Sequence, residues 1–182
     1  MRALMTAQLI SSAIRTIPDH PKPGILFRDV TTLLGHAEAF RAAIDALTSH
    51  ARELSPAKVA GLESRGFIFG AAVAAQLGVG FVPIRKKGKL PAQVIRQQYA
   101  LEYGTDELEV HVDAVSPKER VLVIDDLIAT GGTALAAVAL LERLEAHTVG
   151  ASFVIDLPDL GGAHKLRARG LTVHTLVSFA GH

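Results

Sequence analysis

Cysteine, tryptophan and asparagine are missing from the 182 residues. Without cysteine there are no disulfides, no thiolate zinc sites and no Cys nucleophile, a composition compatible with a reducing compartment. A one-sided charge is missing too: 19 Lys and Arg stand against 18 Asp and Glu. A general polyanion binder needs a larger excess, so nucleic acid is not an expected partner and any grip on phosphate must be local. Met1 to Ile17 holds Arg2 but no sustained apolar stretch of the secretory kind, so a cytoplasmic location is expected. Between Arg65 and Arg85 lie 19 uncharged residues, formally long enough to span a bilayer. That run is Ala-rich and is interrupted by Gln76, Gly78, Gly80 and Pro83, so it reads as a buried helix followed by a buried strand. No membrane association is expected. The eight histidines form no pair at i, i+3 or i, i+4, so no zinc site is expected.

What the chain does contain is an alternation. Its length suits one domain, residues 1 to 182, able to bury roughly 70% of its unfolded surface. Helical spacing covers Met5 to Ile17 and Ala37 to Glu53. Short β-rich runs follow at Lys58 to Leu62, Phe81 to Ile84, Val121 to Ile124, Val149 to Ile155 and Thr172 to Val177. Phe67 to Leu77 and Thr133 to Leu144 read as helices between them. This predicts an α/β fold with a mostly parallel twisted sheet flanked by helices. Gly88 to Tyr99 has no clean period and reads as an irregular segment, of a kind that is functional or mobile in a compact domain. Glu107 to Val112 alternates charged and apolar residues, as a solvent-facing β-ribbon would. Together, residues of about 87–112 read as a strand-loop-strand flap, a flexible β-ribbon lid.

The most informative stretch is Val121-Leu122-Val123-Ile124-Asp125-Asp126-Leu127-Ile128-Ala129-Thr130-Gly131-Gly132-Thr133. A buried strand delivers two carboxylates to its carboxyl end, and Thr-Gly-Gly-Thr opens the next helix. Glycines let the backbone approach closely, successive amides can converge, and the helix N-terminus favours an anion. A phosphate monoester fits that turn. Carboxylates beside it suit a ligand that also presents hydroxyls or a divalent cation, as a ribose 5-phosphate does. Neither a G-x-x-x-x-G-K-[ST] loop nor a dinucleotide fingerprint occurs, and no G-x-S-x-G elbow makes Ser64 a nucleophile.

At these residues the chain resembles the type I phosphoribosyltransferases. Pro23-Gly24-Ile25-Leu26-Phe27-Arg28-Asp29, Gly61-Leu62-Glu63-Ser64-Arg65-Gly66-Phe67, Ile84-Arg85-Lys86-Lys87-Gly88-Lys89-Leu90-Pro91 and Leu101-Glu102-Tyr103-Gly104 are similar to the adenine phosphoribosyltransferase family in order and spacing. The resemblance spans Pro18 to Leu144 and is weak beyond Gly150. It implies transfer of 5-phosphoribosyl from phosphoribosyl pyrophosphate to N9 of adenine, giving AMP and pyrophosphate, with Mg²⁺ held mainly through the substrate rather than at a dedicated protein site. Ala129, Thr130, Gly131, Gly132 and Thr133 would hold the 5-phosphate, and Asp125 and Asp126 the ribose hydroxyls. Ser64, Arg65, Arg85, Lys86 and Lys89 would meet pyrophosphate. Lys87, Gly88 and Tyr103 would belong to the lid, with Gly88 as its hinge. The backbone of Leu26 and Arg28, the ring of Phe27 and Arg65 would recognise adenine, while Glu102 would handle the base proton. The resemblance also implies a homodimer.

Two other functions stay open at this level. A non-catalytic sensor of phosphoribosyl pyrophosphate would need an added nucleic-acid-binding module or a broad basic face, and neither is evident. The other is a transferase for another base such as hypoxanthine, xanthine or orotate; Ala129, which cannot exchange a proton with a purine N7, and the Phe27 motif argue against the oxopurines.

Overall fold

The computed structural model describes residues 2–100 and 105–181. Its frame is a seven-stranded sheet in the order β5-β6-β4-β3-β7-β8-β9. The strands are β3 (Lys58–Leu62), β4 (Gly80–Lys86), β5 (Val94–Ala100), β6 (Thr105–His111), β7 (Arg120–Ile128), β8 (His147–Asp156) and β9 (Val173–Ser178). Parallel pairing joins β4, β3, β7, β8 and β9, while β5 and β6 form an antiparallel ribbon continuing the sheet beyond β4. This is the α/β fold expected from the alternation.

Strand β7 shows why the core has two sides. Val121 and Val123 join the layer containing Ala137, Leu140 and Leu141 of α5 (Gly132–Arg143), whereas Leu122 and Ile124 join Ala43, Leu47, Phe69 and Val73 on the opposite face. Those last four belong to α3 (Ala37–Leu54) and α4 (Arg65–Leu77). Side chains alternate along a strand, so a continuous apolar run is what a strand covered on both faces requires. No helix among the described residues is long and apolar enough to cross a membrane. Arg65–Leu77 ends at Gly78, and the uncharged run continues as β4.

The N-terminal reading needs correction. Helix α1 covers Arg2–Ser12 only, and Arg15–Pro18 is a strand, β1, paired antiparallel with β2 (Leu26–Asp29). Ile14 and Ile17 have helical spacing, but β-branched Thr16 and Ile17 followed by Pro18 are better served by the partner strand, an override of local pattern by tertiary pairing. The short helix α2 (Thr31–Gly35) follows β2.

The expected β-ribbon is present, but two of its details differ. Val94–Ala100 is a regular strand, in register with Thr105–His111. Residues Leu108, Glu109 and Val110 of β6 are fully buried, so the strand is interior rather than solvent-facing. The alternation was real, but both of its faces are covered. Glu109 is paired with Arg96 across the ribbon at 3.2 Å, and its other oxygen accepts the amides of Lys89 and Leu90 at 2.8 and 2.9 Å.

Candidate functional site

The order of the sheet decides where a ligand can sit. From β3 the chain moves to β4 on one side, and later returns through β7 on the other, so a crevice opens beyond the carboxyl ends of β3 and β7. A cavity of about 550 Å³ occupies that crevice, bounded by Glu63, Ser64 and Arg65 after β3, by residues 125–134, by Lys86 and Lys89, and by Tyr99, Asp106 and Leu108 of the ribbon.

Its floor is the turn from β7 into α5. The first amides of a helix lack intrahelical acceptors and carry the positive end of its dipole. The carbonyls of the turn are held from behind by α6 (Gly162–Ala168): the Gly162 amide donates to Ala129 O at 2.9 Å, and the Lys165 ammonium donates to Thr130 O at 2.9 Å. Gly131 has φ 83°, and a Cβ at Gly162 would lie 2.6 Å from the Gly131 nitrogen. The turn therefore keeps its shape only with glycine at both places. Thr130 and Thr133 complete the floor with hydroxyls.

Asp125 and Asp126 stand beside it. Asp126 is 4% exposed and lies 2.6 Å from Arg65 Nε, while an Asp125 oxygen accepts the Asp126 amide at 2.8 Å. Burial, followed by the neighbouring charge of Asp126, raises the Asp125 pKa well above its ordinary value. Bringing negative charge onto this carboxyl therefore costs free energy unless something compensates it. Hydroxyl groups or a cation can replace the missing compensation.

The basic turn after β4 is not a loose end. Glu63 pairs with Arg85 at 3.1 Å and Lys89 at 2.5 Å, and accepts the Lys86 amide at 3.0 Å. Burial pushes the Glu63 carboxyl upward, but Lys89, the Lys86 amide and Arg85 together outweigh it and leave the pKa lowered. Glu109 likewise is pushed up by burial and brought below its ordinary value by the amides of Leu90, Gly88 and Lys89 and by Arg96. Lys86 and Lys89 line the cavity, whereas Arg85 and Lys87 are outside its lining. Gly88 has φ 78°, as a turn glycine, within a segment clamped by these two carboxylates. The Glu63–Ser64 peptide is cis, and Ser64 precedes α4 without capping it through its side chain. Neither Glu63 nor Glu109 was singled out by sequence, because each lies about twenty residues from the turn it holds and no local signal marks the pairing.

A second cavity, of about 840 Å³ and more apolar, adjoins the first. Ile25, Leu26, Phe27, Arg28, Leu127, Leu157 and Leu160 face it, and Arg65, Tyr99 and Ala129 border both cavities. Arg65 stacks over Phe27 at 5.5 Å while pairing with Asp126, so one guanidinium joins the apolar slot to the carboxylates. The Arg28 side chain points elsewhere. It donates to Thr16 Oγ1 at 2.5 Å and Ala180 O at 2.9 Å, and lies 4.5 Å above the Phe179 ring, so its backbone alone is left for a ligand. Glu102 and Tyr103 lie outside the described residues.

The structure thus brings Leu26, Phe27, Arg28, Ser64, Arg65, Lys86, Lys89, Asp125, Asp126 and Ala129 to Thr133 around two connected cavities. Such an arrangement can hold a phosphate, a polyhydroxyl ring and an anionic group in one cavity and a flat base in the other. No group of three or more His, Cys, Asp or Glu among the described residues is arranged to hold a metal ion.

Comparison with known proteins points the same way. The model of the phosphoribosyl transferase domain matches residues 29–172. An adenine phosphoribosyltransferase of Azorhizobium caulinodans is 61% identical over 173 residues, covering 95% of this chain and 97% of the relative. The crystal structure of adenine phosphoribosyltransferase from Rhodothermus marinus superposes with a TM-score of 0.90 at 49% identity, covering 97% of this chain and 99% of that one. The Saccharomyces cerevisiae enzyme, crystallised with an imino-altritol bisphosphate and adenine, gives 0.90 at 41% identity, over 95% and 99% of the two chains.

Proposed function

The chain belongs to the adenine phosphoribosyltransferase family and is an enzyme of purine salvage that forms AMP, and we propose that it does so in the two cavities described above. The polar cavity takes phosphoribosyl pyrophosphate: residues Ala129 to Thr133 hold the 5-phosphate, Asp125 and Asp126 the ribose hydroxyls, and Ser64, Arg65, Lys86 and Lys89 the pyrophosphate. The apolar cavity takes adenine against Phe27, with the backbone of Leu26 and Arg28 reading its edge. The observation carrying this reading is the Arg65 bridge, which puts a base slot and a ribose-type carboxylate pair on either side of one guanidinium.

Breaking the bond from C1 to the pyrophosphate oxygen leaves positive charge on the sugar ring and negative charge on the leaving group. Asp125 and Asp126 stabilise the first, and Lys86, Lys89 and Arg65 the second, so stabilisation is divided by sign across the cavity. N9 of adenine then attacks C1 and its proton departs. Glu102 is our candidate for receiving it. Asp125 and Asp126 in the polar cavity fit Mg²⁺, which typically binds through one or two carboxylates plus substrate oxygens. When bound it neutralises charge on the donor's phosphate oxygens. Lys87, Gly88 and Tyr103 are assigned to the segment covering the donor, Arg85 to its support through Glu63, and the enzyme to the cytoplasm as a homodimer.

The test is to mix the protein, Mg²⁺ and phosphoribosyl pyrophosphate with adenine, hypoxanthine, xanthine or orotate separately and identify nucleotides by chromatography. AMP from adenine alone is expected. Nucleotide from another base at comparable rate, or from none, overturns the assignment.

A further inference from the structure

Three consecutive carbonyls leading into the phosphate turn accept hydrogen bonds from the segment that follows β8. The Leu157 amide donates to Ile128 O at 3.0 Å, the Gly162 amide to Ala129 O at 2.9 Å, and the Lys165 ammonium to Thr130 O at 2.9 Å. The next carbonyl, Gly131 O, is taken up within α5 by the Leu135 amide at 2.9 Å. The peptides of the turn are trans, so each N–H lies on the opposite side from the carbonyl of its own peptide. Fixing the carbonyls of residues 128–130 against this segment therefore turns the amides of residues 129–131 away from it, and all three residues line the polar cavity. Of the three donors only Lys165 is charged. It borders the apolar cavity and not the polar one, whereas Thr130 borders both, so its ammonium stands across the turn from the phosphate position. The neighbouring Arg169 is paired with Glu142 at 3.0 Å, but among the described residues no carboxylate is within ion-pair distance of Lys165.

We propose that Lys165 is a positioning residue for the 5-phosphate of the sugar donor, acting through the Thr130–Gly131 peptide from the far side of the turn. Pinning the Thr130 carbonyl presents the Gly131 amide before ligand arrives, which saves the cost of ordering it on binding. The ammonium also draws electron density toward that oxygen, and this strengthens donation by the amide at the other end of the same peptide. Gly162 does the same for the preceding peptide without charge. The remaining effect of Lys165 is a positive charge, unneutralised within the chain, behind a site that must take a phosphate out of water. The segment after β8 thus serves the donor through one flexible side chain as well as through the close backbone contact at Gly162.

This inference rests on the proposed function, and its test separates the two. AMP and adenosine differ only in the 5-phosphate, so the ratio of their affinities isolates the turn from the base slot. Both are titrated calorimetrically into wild-type protein, Lys165→Met and Lys165→Arg, alongside donor KM and kcat. Lys165→Met is expected to weaken AMP about tenfold, the scale of one charge-assisted hydrogen bond, and to leave adenosine within about twofold. Donor KM should rise by a similar factor, with kcat falling less than about threefold. Lys165→Arg, which keeps both the charge and a donor, should stay within about threefold of wild type throughout. An unchanged ratio in Lys165→Met, equal losses for AMP and adenosine, or a Lys165→Arg protein no better than Lys165→Met overturns the inference while leaving AMP synthesis by the wild type untouched. A wild type that makes AMP but binds it no more tightly than adenosine also overturns it, because the turn then holds no phosphate. Absence of AMP formation by the wild type would instead overturn the functional reading.

Discussion

The two cavities are built in contrasting ways. Ten consecutive residues, 125–134, form the floor of the polar one, with residues 63–65 beside them. The apolar one is assembled from segments scattered between Ile25 and Arg169, and the slot wall at Arg28 depends on a hydrogen bond to Ala180, 152 positions away. The first obtains its shape from one strand-to-helix turn and a close backbone neighbour. The second depends on a hairpin and a chain terminus docking on each other. A contiguous turn is stiff and intolerant of substitution, whereas a composite wall loses function in increments.

The sharpest way to break this contrast is Gly162→Ala. The added methyl meets Ala129 O and the Gly131 nitrogen, both backbone atoms of the phosphate turn, and cannot be accommodated by a side-chain rotation. Donor kcat/KM is expected to fall by two orders of magnitude or more, while calorimetric affinity for adenine changes by less than about threefold. Equal losses for both substrates would show that the cavities share one scaffold. Asp125→Asn probes the same region with opposite signs for activity and stability. A carboxyl whose folded pKa is raised binds its proton more tightly in the native state, so stability falls as pH rises from the ordinary carboxylate value through the folded one. The neutral amide removes that cost. Activity should drop about a hundredfold, while the thermal midpoint at pH 7 rises by several degrees; a lower midpoint contradicts the assigned repulsion with Asp126.

Arg28→Met addresses the composite wall. It removes bonds to Thr16 and Ala180 and the contact with Phe179 but keeps the backbone that faces the base. Adenine KM should rise about fivefold with donor KM within twofold, measured by steady-state kinetics. A donor effect as large as the adenine effect would deny that the C-terminal segment serves the base slot specifically.

The same contrast explains what could be read from the chain. Ile124 to Thr133 was legible because a β-rich run, two carboxylates and a Thr-Gly-Gly-Thr turn are adjacent, so local geometry and chemistry coincide. The alternating elements gave the parallel sheet for the same reason, with Lys58–Leu62 correct to the residue. Contacts across long separations were hidden: Glu63 with Arg85 and Lys89, Glu109 with the amides of Lys89 and Leu90, and Lys165 with Thr130. Residues 15–18 were misread because Ile14 and Ile17 fit a helix until the partner strand at Leu26–Asp29 is known. Val94–Ala100 was missed since its two glutamines mask a strand that depends on β6 for its register.

The smallest effect expected concerns the hairpin that carries the base wall. Asp29 ends β2, bonds the Thr31 amide at 2.9 Å and pairs with Arg15 of β1 at 2.5 Å. The Thr31 side chain, then Arg15, then the Thr31 amide hold its pKa down at about 2. Because the folded value lies below the unfolded one, this carboxylate contributes stability above roughly pH 4 and loses it as pH falls toward 2. Arg15 is 57% exposed, so solvent screens part of the gain and the contribution is at most about 2 kcal/mol. Asp29→Asn should therefore lie about 1–2 kcal/mol below wild type in urea unfolding at pH 6, with the gap closing as pH approaches 2. Its adenine KM should rise modestly at neutral pH while its donor KM stays near the wild-type value. A pH-independent gap would assign the loss to the neutral hydrogen bonds rather than to the charge, and a donor effect would place the hairpin in the support of both cavities.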